Sequence, residues 1–312
     1  MARTPRKPTF AQEVNLPDLV TEFGSEEKCR DYLAALRWPL GVRCPRCKAS
    51  KGISVIRERD QYDCDSCGYQ FSVTAGTIFH DSHLPLWKWF LAVYIVGESK
   101  KGVSANQMKR MLGTSYKTAW YLCHRIRAAM LDESPEPLRG IIEADETYTG
   151  NAPFMFGQRM KGRHVGGNKT AIIGAVERGG RVRLKVSDRV DRKALHEFLR
   201  AVIADEAEAI YTDDYRAYDG IADENTRHET VTHSRREWVQ GDVHTNTMED
   251  VWSLFKRSVI GSYHHLSVKH LQAYLDELAF RYNNRENSYL FRDTLRKLIE
   301  AEAKPYAELI AG

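Results

Sequence analysis

Four of the six cysteines stand in two pairs, Cys44-Pro-Arg-Cys47 and Cys64-Asp-Ser-Cys67, with sixteen residues between them. Tetrahedral zinc asks for four thiolates at about 2.3 Å, and a CxxC turn presents two sulfurs to one ion. The spacing predicts one structural Zn2+ held by Cys44, Cys47, Cys64 and Cys67. Four thiolates close the coordination shell and leave no place for a reacting water, so this centre holds a platform together. Disulfides are the alternative, but the basic start of the chain, Met1 to Phe10, has no apolar segment behind it, against a secretory signal. Cys29 and Cys123 sit at helical spacing among apolar neighbours and read as buried structural thiols.

A second group suits phosphodiester chemistry. In-line attack on a phosphodiester needs both the attacking and the leaving oxygen stabilised, which two divalent ions about 3.5 to 4 Å apart can do. Carboxylate oxygens are the ligands such hard cations take. Asp145, Asp213 and Glu249 are candidates to hold two Mg2+ or Mn2+ ions, with Asn246 three residues before Glu249 and Lys256 seven after it, two helical turns on and on nearly the same face. Each acid has a competitor. Glu143 or Glu146 competes with Asp145, and Asp214 with Asp213; Asn246 to Glu249 also fits a helix N-cap with its acidic partner three residues on.

The elements that must position these acids can be read in order. Gly140 to Thr149 reads as a strand, Thr170 to Val176 and Arg181 to Val186 as two more joined at Gly179-Gly180, a strong hairpin turn. Asp191 to Ala204 is an amphipathic helix with Leu195, Phe198, Leu199, Val202 and Ile203 inward. Ala209 to Thr212 is a fourth strand, a short fifth lies near Glu229 to Thr232, and a helix runs from about Thr247 to Val259 with Met248, Val251, Trp252 and Phe255 toward a core. Three strands, helix, strand, strand, helix is the order of an RNase H-like α/β fold. In that order the three acids can converge at one sheet edge.

Between the cysteines and the acids the text turns helical. Trp87, Phe90, Leu91 and Tyr94 recur at helix spacing; Ser104 and Gln107 satisfy a capping box for a short helix ending at Gly113. A third helix begins near Ser115 with Ala119, Leu122, Cys123, Ile126 and Met130 as its apolar stripe, which leaves Tyr116, Lys117, Tyr121, His124 and Arg125 outside. These are the parts of a helix-turn-helix, whose second helix enters the major groove; a plain helical bundle shares the periodicity. Ser115, Tyr116, Lys117, His124 and Arg125 are the candidate DNA contacts, joined by Arg159, Lys161 and Arg163 in a basic loop.

Composition is that of an ordinary soluble protein and favours neither disorder nor a membrane class. The longest apolar run, Phe90 to Val96, is far below the ~20 residues that a bilayer needs. Lys and Arg outnumber Asp and Glu by 21 to 15 over residues 1–140 and by 12 to 4 over 151–200, whereas over 201–250 they are outnumbered 4 to 13. Basic stretches to meet phosphate thus flank an acidic one able to gather cations. A cytoplasmic protein, with no membrane partner, is expected.

The segments Ile142-Glu-Ala-Asp-Glu-Thr-Tyr148, Tyr211-Thr-Asp-Asp-Tyr-Arg-Ala-Tyr218, Val243-His-Thr-Asn-Thr-Met-Glu-Asp-Val-Trp252, Lys256-Arg-Ser-Val-Ile-Gly-Ser-Tyr-His-His265 and Phe280-Arg-Tyr-Asn-Asn-Arg285 resemble the ISXO-type DDE transposases of bacterial insertion sequences. So do Leu36-Arg-Trp-Pro and Thr74-Ala-Gly-Thr-Ile-Phe79. The resemblance spans about Phe23 to Leu295. It implies that Asp145, Asp213, Asn246, Glu249 and Lys256 are catalytic positions. It further implies that the chain binds terminal inverted repeats, self-associates on double-stranded DNA, cuts at the element ends and joins the 3′-OH to target DNA, acting at the bacterial nucleoid. The expected organisation is a tail (1–24), a zinc ribbon with a preceding helix (25–82), a helix-turn-helix (83–134), an RNase H-like DDE domain (138–300) and a tail (301–312). A non-catalytic DNA-binding regulator and a nuclease that only hydrolyses are the rival functions.

Overall fold

Each CxxC pair is followed by a residue in the left-handed region, Lys48 at φ 64° and Gly68 at φ 65°. There the chain folds back on the first cysteine of the pair: Lys48 N–H donates to the Cys44 carbonyl at 2.9 Å and Gly68 N–H to that of Cys64 at 2.8 Å. Only glycine adopts such a φ without cost, so the second turn has the residue it requires. In the computed structural model, which describes residues 14–150, 169–231, 242–302 and 304–311, the first turn precedes an antiparallel meander of β1 (Ile53–Ile56), β2 (Gln61–Cys64) and β3 (Tyr69–Phe71), and the second joins β2 to β3. Ile53 pairs with Cys64, and Cys64 with Tyr69.

Two helices precede the meander, α1 (Leu16–Phe23) and α2 (Glu26–Arg37). Asn15 and Ser25 cap them by accepting from Asp18 N–H and Lys28 N–H. The first helix falls in the segment that the sequence assigned to a tail, and it buries Leu19 and Phe23. After the meander come α3 (Leu86–Glu98), α4 (Ala105–Leu112) and α5 (Tyr116–Met130). Ser104 caps α4 through Gln107 N–H, and Gly113 at φ 58° ends it, as the capping-box reading expects.

The α/β part is a five-stranded sheet built from β4 (Ile141–Thr149), β5 (Thr170–Glu177), β6 (Val182–Ser187), β7 (Ala209–Asp213) and β8 (Arg227–Val231). Their order is β6-β5-β4-β7-β8. The first three strands are antiparallel neighbours, and β4, β7 and β8 run parallel. With α6 (Arg192–Val202) crossing between β6 and β7, and α7 (Asn246–Ser258), a π-helical turn at Val259–Tyr263 and α8 (Val268–Asn283) after β8, this is the RNase H-like α/β arrangement.

Helices cover both faces of the sheet. Ile142, Ala144, Ile173, Ala175 and Ile210 meet Leu195, Phe198 and Leu199 of α6. Ile172, Val176, Val182 and Leu184 meet Met248, Val251, Trp252 and Phe255 of α7 and Leu271, Leu275 and Leu278 of α8. Because strand side chains alternate, the even positions of β4 pack under α6 and its odd positions, Glu143 and Asp145, lie under α7.

The chain divides into two compact units, Met1–Met130 with Glu286–Gly312, and Leu131–Arg285. The last helices, α9 (Leu290–Glu300) and α10 (Tyr306–Ala311), therefore group with the N-terminal elements, although the sequence put residues up to 300 in the catalytic domain. The reason is aromatic. Phe291 of α9 lies 5.8 Å from the rings of both Phe23 and Phe90 and completes a cluster to which Tyr32 also belongs. Among the described residues no helix is long and apolar enough to cross a membrane.

Candidate active site and metal centre

The four paired cysteines converge. Cys44 Sγ lies 3.7 Å from Cys67 Sγ, Cys47 Sγ lies 3.6 Å from Cys64 Sγ, and all four sulfurs fall within 4.8 Å of one another. A tetrahedron with metal–sulfur bonds of about 2.3 Å has edges of about 3.8 Å, whereas a disulfide would need about 2.05 Å. None of the six cysteines is in a disulfide. The donor set and its spacing fit zinc.

In the helical segment the structure separates the predicted DNA contacts into two groups. Ser115 Oγ accepts from Thr118 N–H at 3.0 Å and so caps α5; Tyr116 and Lys117 are exposed, with Lys117 Nζ 4.6 Å from the Tyr306 ring centroid. His124 and Arg125 are not on an outward face, which corrects the sequence reading. They are 3% and 2% exposed. The His124 ring lies 4.0 Å from that of Trp120, and Arg125 donates to the His80 carbonyl at 2.9 Å while its guanidinium sits over Trp89 and Tyr121. A single apolar stripe leaves the opposite side of a helix in water only when nothing covers it. Here α3, α9 and α10 all pack on α5. Arg159, Lys161 and Arg163 lie outside the described residues.

On the sheet, parallel pairing of Ile141 with Ala209 and of Glu143 with Tyr211 fixes the offset between β4 and β7. Carried two residues further, the same offset sets Asp145 beside Asp213. Both are partly exposed; Asp213 is the last residue of β7 and Asp145 the middle residue of β4. Asp214 lies past the end of β7 and is exposed. Alternation gives Asp213, not Asp214, the face that Asp145 occupies.

Burial pushes the Asp145 carboxyl up to about 7, reinforced by the charges of Glu146 and Asp213 and opposed by hydrogen bonds from the Glu146 backbone N–H and the Trp252 indole. Trp252 Nε1 donates to Asp145 Oδ2 at 2.9 Å. Glu146, on the other side of the strand, accepts from the buried Tyr218 hydroxyl at 3.0 Å. Burial and the nearby carboxylates Glu146, Asp145 and Asp213 hold that phenol well above its ordinary pKa.

The helix that carries Glu249 begins differently from the capping alternative. Its N-cap is Thr245, with no side-chain cap bond, and Asn246 is already its first helical residue. Glu249 is exposed and stands in the first turn, three residues before Trp252. Lys256 is exposed in the last turn. One N–H and one hydroxyl of the first turn are met from the sheet instead. Met248 N–H donates to Glu143 Oε2 at 3.1 Å and Thr247 Oγ1 to Glu143 Oε1 at 2.9 Å. Glu143, a sequence rival of Asp145, is thus fully buried as the cap of the helix.

The structure brings Asp145 and Asp213 together and puts Glu249 on the helix that Asp145 anchors. The three acids do not form a group as tight as the cysteines; among the described residues the cysteine quartet alone has three or more ligand atoms within 4.8 Å of one another. The acids' oxygens are nevertheless the donors a divalent cation takes, and a cation would favour the ionised form of Asp145 against the burial and neighbouring charge that raise it. Sequence reasoning missed the part of Trp252, which it read as core only. An indole N–H in a core needs an acceptor, and a strand acid was the available one.

Residues 137–283 match the ISXO2-like transposase domain and residues 24–70 the transposase zinc-ribbon domain. The chain is 31% identical over 252 residues, 76% of its length and 84% of the other, to an uncharacterized protein in transposable element ISH50 of Halobacterium salinarum. Weak superpositions relate it to the Mos1 strand transfer complex, with TM-score 0.29, 12% identity and coverage of 68% of this chain and 75% of that one. Another is a simian T-cell lymphotropic virus intasome in complex with a PP2A regulatory subunit, with TM-score 0.30, 12% identity and coverage of 61% and 66%.

Proposed function

This chain belongs to the ISXO2-like transposase family, and on that premise we propose that it binds the terminal inverted repeats of an insertion sequence, cleaves DNA at the element ends and joins the 3′-OH to target DNA. The observation that carries the proposal is the pair Asp145 and Asp213 on adjoining parallel strands, with the Asp145 carboxyl raised to about 7 by burial and by neighbouring carboxylates.

Asp145, Asp213 and Glu249 would hold two Mg2+ or Mn2+ ions. Bound there, the ions supply stabilisation of the attacking and leaving oxygens of an in-line displacement at phosphorus. The chain's own contribution is placement. Trp252 fixes one oxygen of Asp145, Asp213 is set beside it by strand register, and the first turn of α7 presents Glu249. Asn246 and Lys256, exposed at either end of the same helix, would position the phosphate backbone. In the joining step the 3′-hydroxyl oxygen bonds to a target phosphorus, its proton passing through solvent to the departing oxygen, which ends as a new 3′-OH. The target strand's 3′-oxygen leaves with the electron pair, so one phosphodiester is exchanged for another without oxidant or cosubstrate.

End binding is assigned to the first unit. Ser115, Tyr116 and Lys117 remain at an accessible helix start suited to the groove or the phosphates, and a zinc held by Cys44, Cys47, Cys64 and Cys67 would keep the ribbon folded. Self-association on DNA belongs to the same reading. The test is incubation of the full-length chain with its own element's ends, target DNA and Mg2+. Joined products support transposition, cleavage alone would indicate a nuclease, and binding alone a regulator.

A further inference from the structure

We infer that Glu143 is a positioning residue, a buried carboxylate that sets helix α7, and with it Glu249, in register on the strand that carries Asp145. The inference rests on the reading of Asp145 and Glu249 as metal ligands. It goes beyond that reading by naming what fixes their mutual position.

Glu143 is fully buried two residues before Asp145, on the same face of β4. A carboxylate without solvent must be matched by donors and opposite charge, and Glu143 is matched from two sides, by α7 with the chain leading into it and by Arg178 of the turn between β5 and β6. Its Oε1 accepts from Thr247 Oγ1 and its Oε2 from Met248 N–H. Arg178 Nε lies 2.6 Å and His244 Nδ1 3.3 Å from Oε1. The same guanidinium donates to the carbonyls of Asp242 at 2.8 Å and His244 at 3.0 Å and lies over the Tyr211 ring. Strand, hairpin turn and helix entry are tied at one carboxylate.

A second tie follows one helical turn later, where Trp252 meets Asp145. The two spacings agree. Glu143 and Asp145 are about 6.8 Å apart along a strand that rises about 3.4 Å per residue, and Met248 and Trp252 are about 6.0 Å apart along a helix that rises about 1.5 Å per residue. A helix running alongside the strand can therefore satisfy both ties at once, and Glu249 stands between them. Loosening the first tie would let the helix start shift relative to Asp145 while the core face of α7 stays packed.

The test uses the full-length, zinc-loaded chain and three variants, Glu143→Gln, Thr247→Val and Glu249→Gln. Each is assayed for its melting curve, for binding to an end duplex, for Mn2+ affinity by the paramagnetic resonance of free Mn2+, and for joining. Glu143→Gln is expected to bind the end duplex like the parent but to lose at least tenfold in both Mn2+ affinity and joining, with joining partly restored by excess Mn2+. Thr247→Val, which removes one bond without stranding a charge, should melt like the parent and show a smaller loss in both; if Glu143→Gln does not fold, this variant decides. Folded variants with parental Mn2+ affinity and joining, beside an inactive Glu249→Gln, would overturn the inference alone. Parental joining by Glu249→Gln would overturn the reading beneath it.

Discussion

Gly174 of β5 pairs with Asp145 of β4, and the absence of a side chain there is what lets the Trp252 ring reach the carboxylate. A Cβ at this position would lie 2.8 and 2.9 Å from Cη2 and Cζ2 of Trp252 and 2.6 Å from Cε of Met248. The clearance is steric, since no positive φ is involved.

Gly174→Ala should therefore act at a distance. Overpacking of a close-packed face costs about 1 to 3 kcal/mol, which urea unfolding would register. Because the ring held against Asp145 is the one displaced, joining should fall further than the loss of folded protein explains. Joining that simply tracks the folded fraction would show that the contact has no part in the chemistry.

A pH dependence follows from Asp145. Its folded-state pKa of about 7 lies above the ordinary value of about 3.9. Without divalent ions the folded chain holds this proton more tightly than the unfolded one. That contribution to stability is complete below about pH 4 and is lost as the pH rises through 7. Asp145→Asn removes it, so the variant should gain on the parent between pH 4.5 and 8, by roughly 1 to 3 kcal/mol. Added Mg2+ should shrink the difference by favouring the ionised parent. A pH-independent difference in unfolding free energy would contradict this assignment.

Arg125→Ala should cost stability and not groove contacts. A 2% exposed guanidinium with a carbonyl acceptor and two aromatic neighbours leaves those partners unmet when removed, at about 1 to 3 kcal/mol. Lys117→Ala, at an exposed position, should leave the melting temperature within a degree or two and lower end binding, with a shallower salt dependence. Reversal of the two outcomes would move the DNA surface elsewhere on the molecule.

Truncation after Arg285 should weaken the N-terminal unit, since it deletes Phe291 from the cluster of Phe23, Tyr32 and Phe90. Faster proteolysis between residues 14 and 130 would report the exposed rings. Unchanged protection would mean that α9 is dispensable to that core.

Much of the fold was legible in local pattern. Alternation located the strands within a few residues, Gly179-Gly180 marked the hairpin, and Ser104 with Gly113 bounded α4. The sulfurs were legible because CxxC spacing determines its own geometry. What failed was long-range. Helical periodicity shows which side of α5 is apolar but not that α9 and α10 return to cover the rest, and so His124 and Arg125 were misjudged. The same holds for Glu143. Its position in the strand names its face, but only the packing of α7 makes it a cap.

The most direct measurement is strand transfer by Glu249→Gln, beside Asp145→Asn, Asp213→Asn and Asp214→Asn, in full-length protein with its own element's ends in Mg2+ and in Mn2+. Each variant would first be checked for its melting temperature and end binding. Glu249 is an exposed first-turn residue of a helix capped by other groups, so neutralising it should barely change stability. The account predicts that Glu249→Gln, Asp145→Asn and Asp213→Asn fold and bind ends yet neither cleave nor join, while Asp214→Asn joins normally. Near-normal joining by Glu249→Gln in a folded, end-bound protein would contradict the assignment of Asp145, Asp213 and Glu249 as one catalytic set.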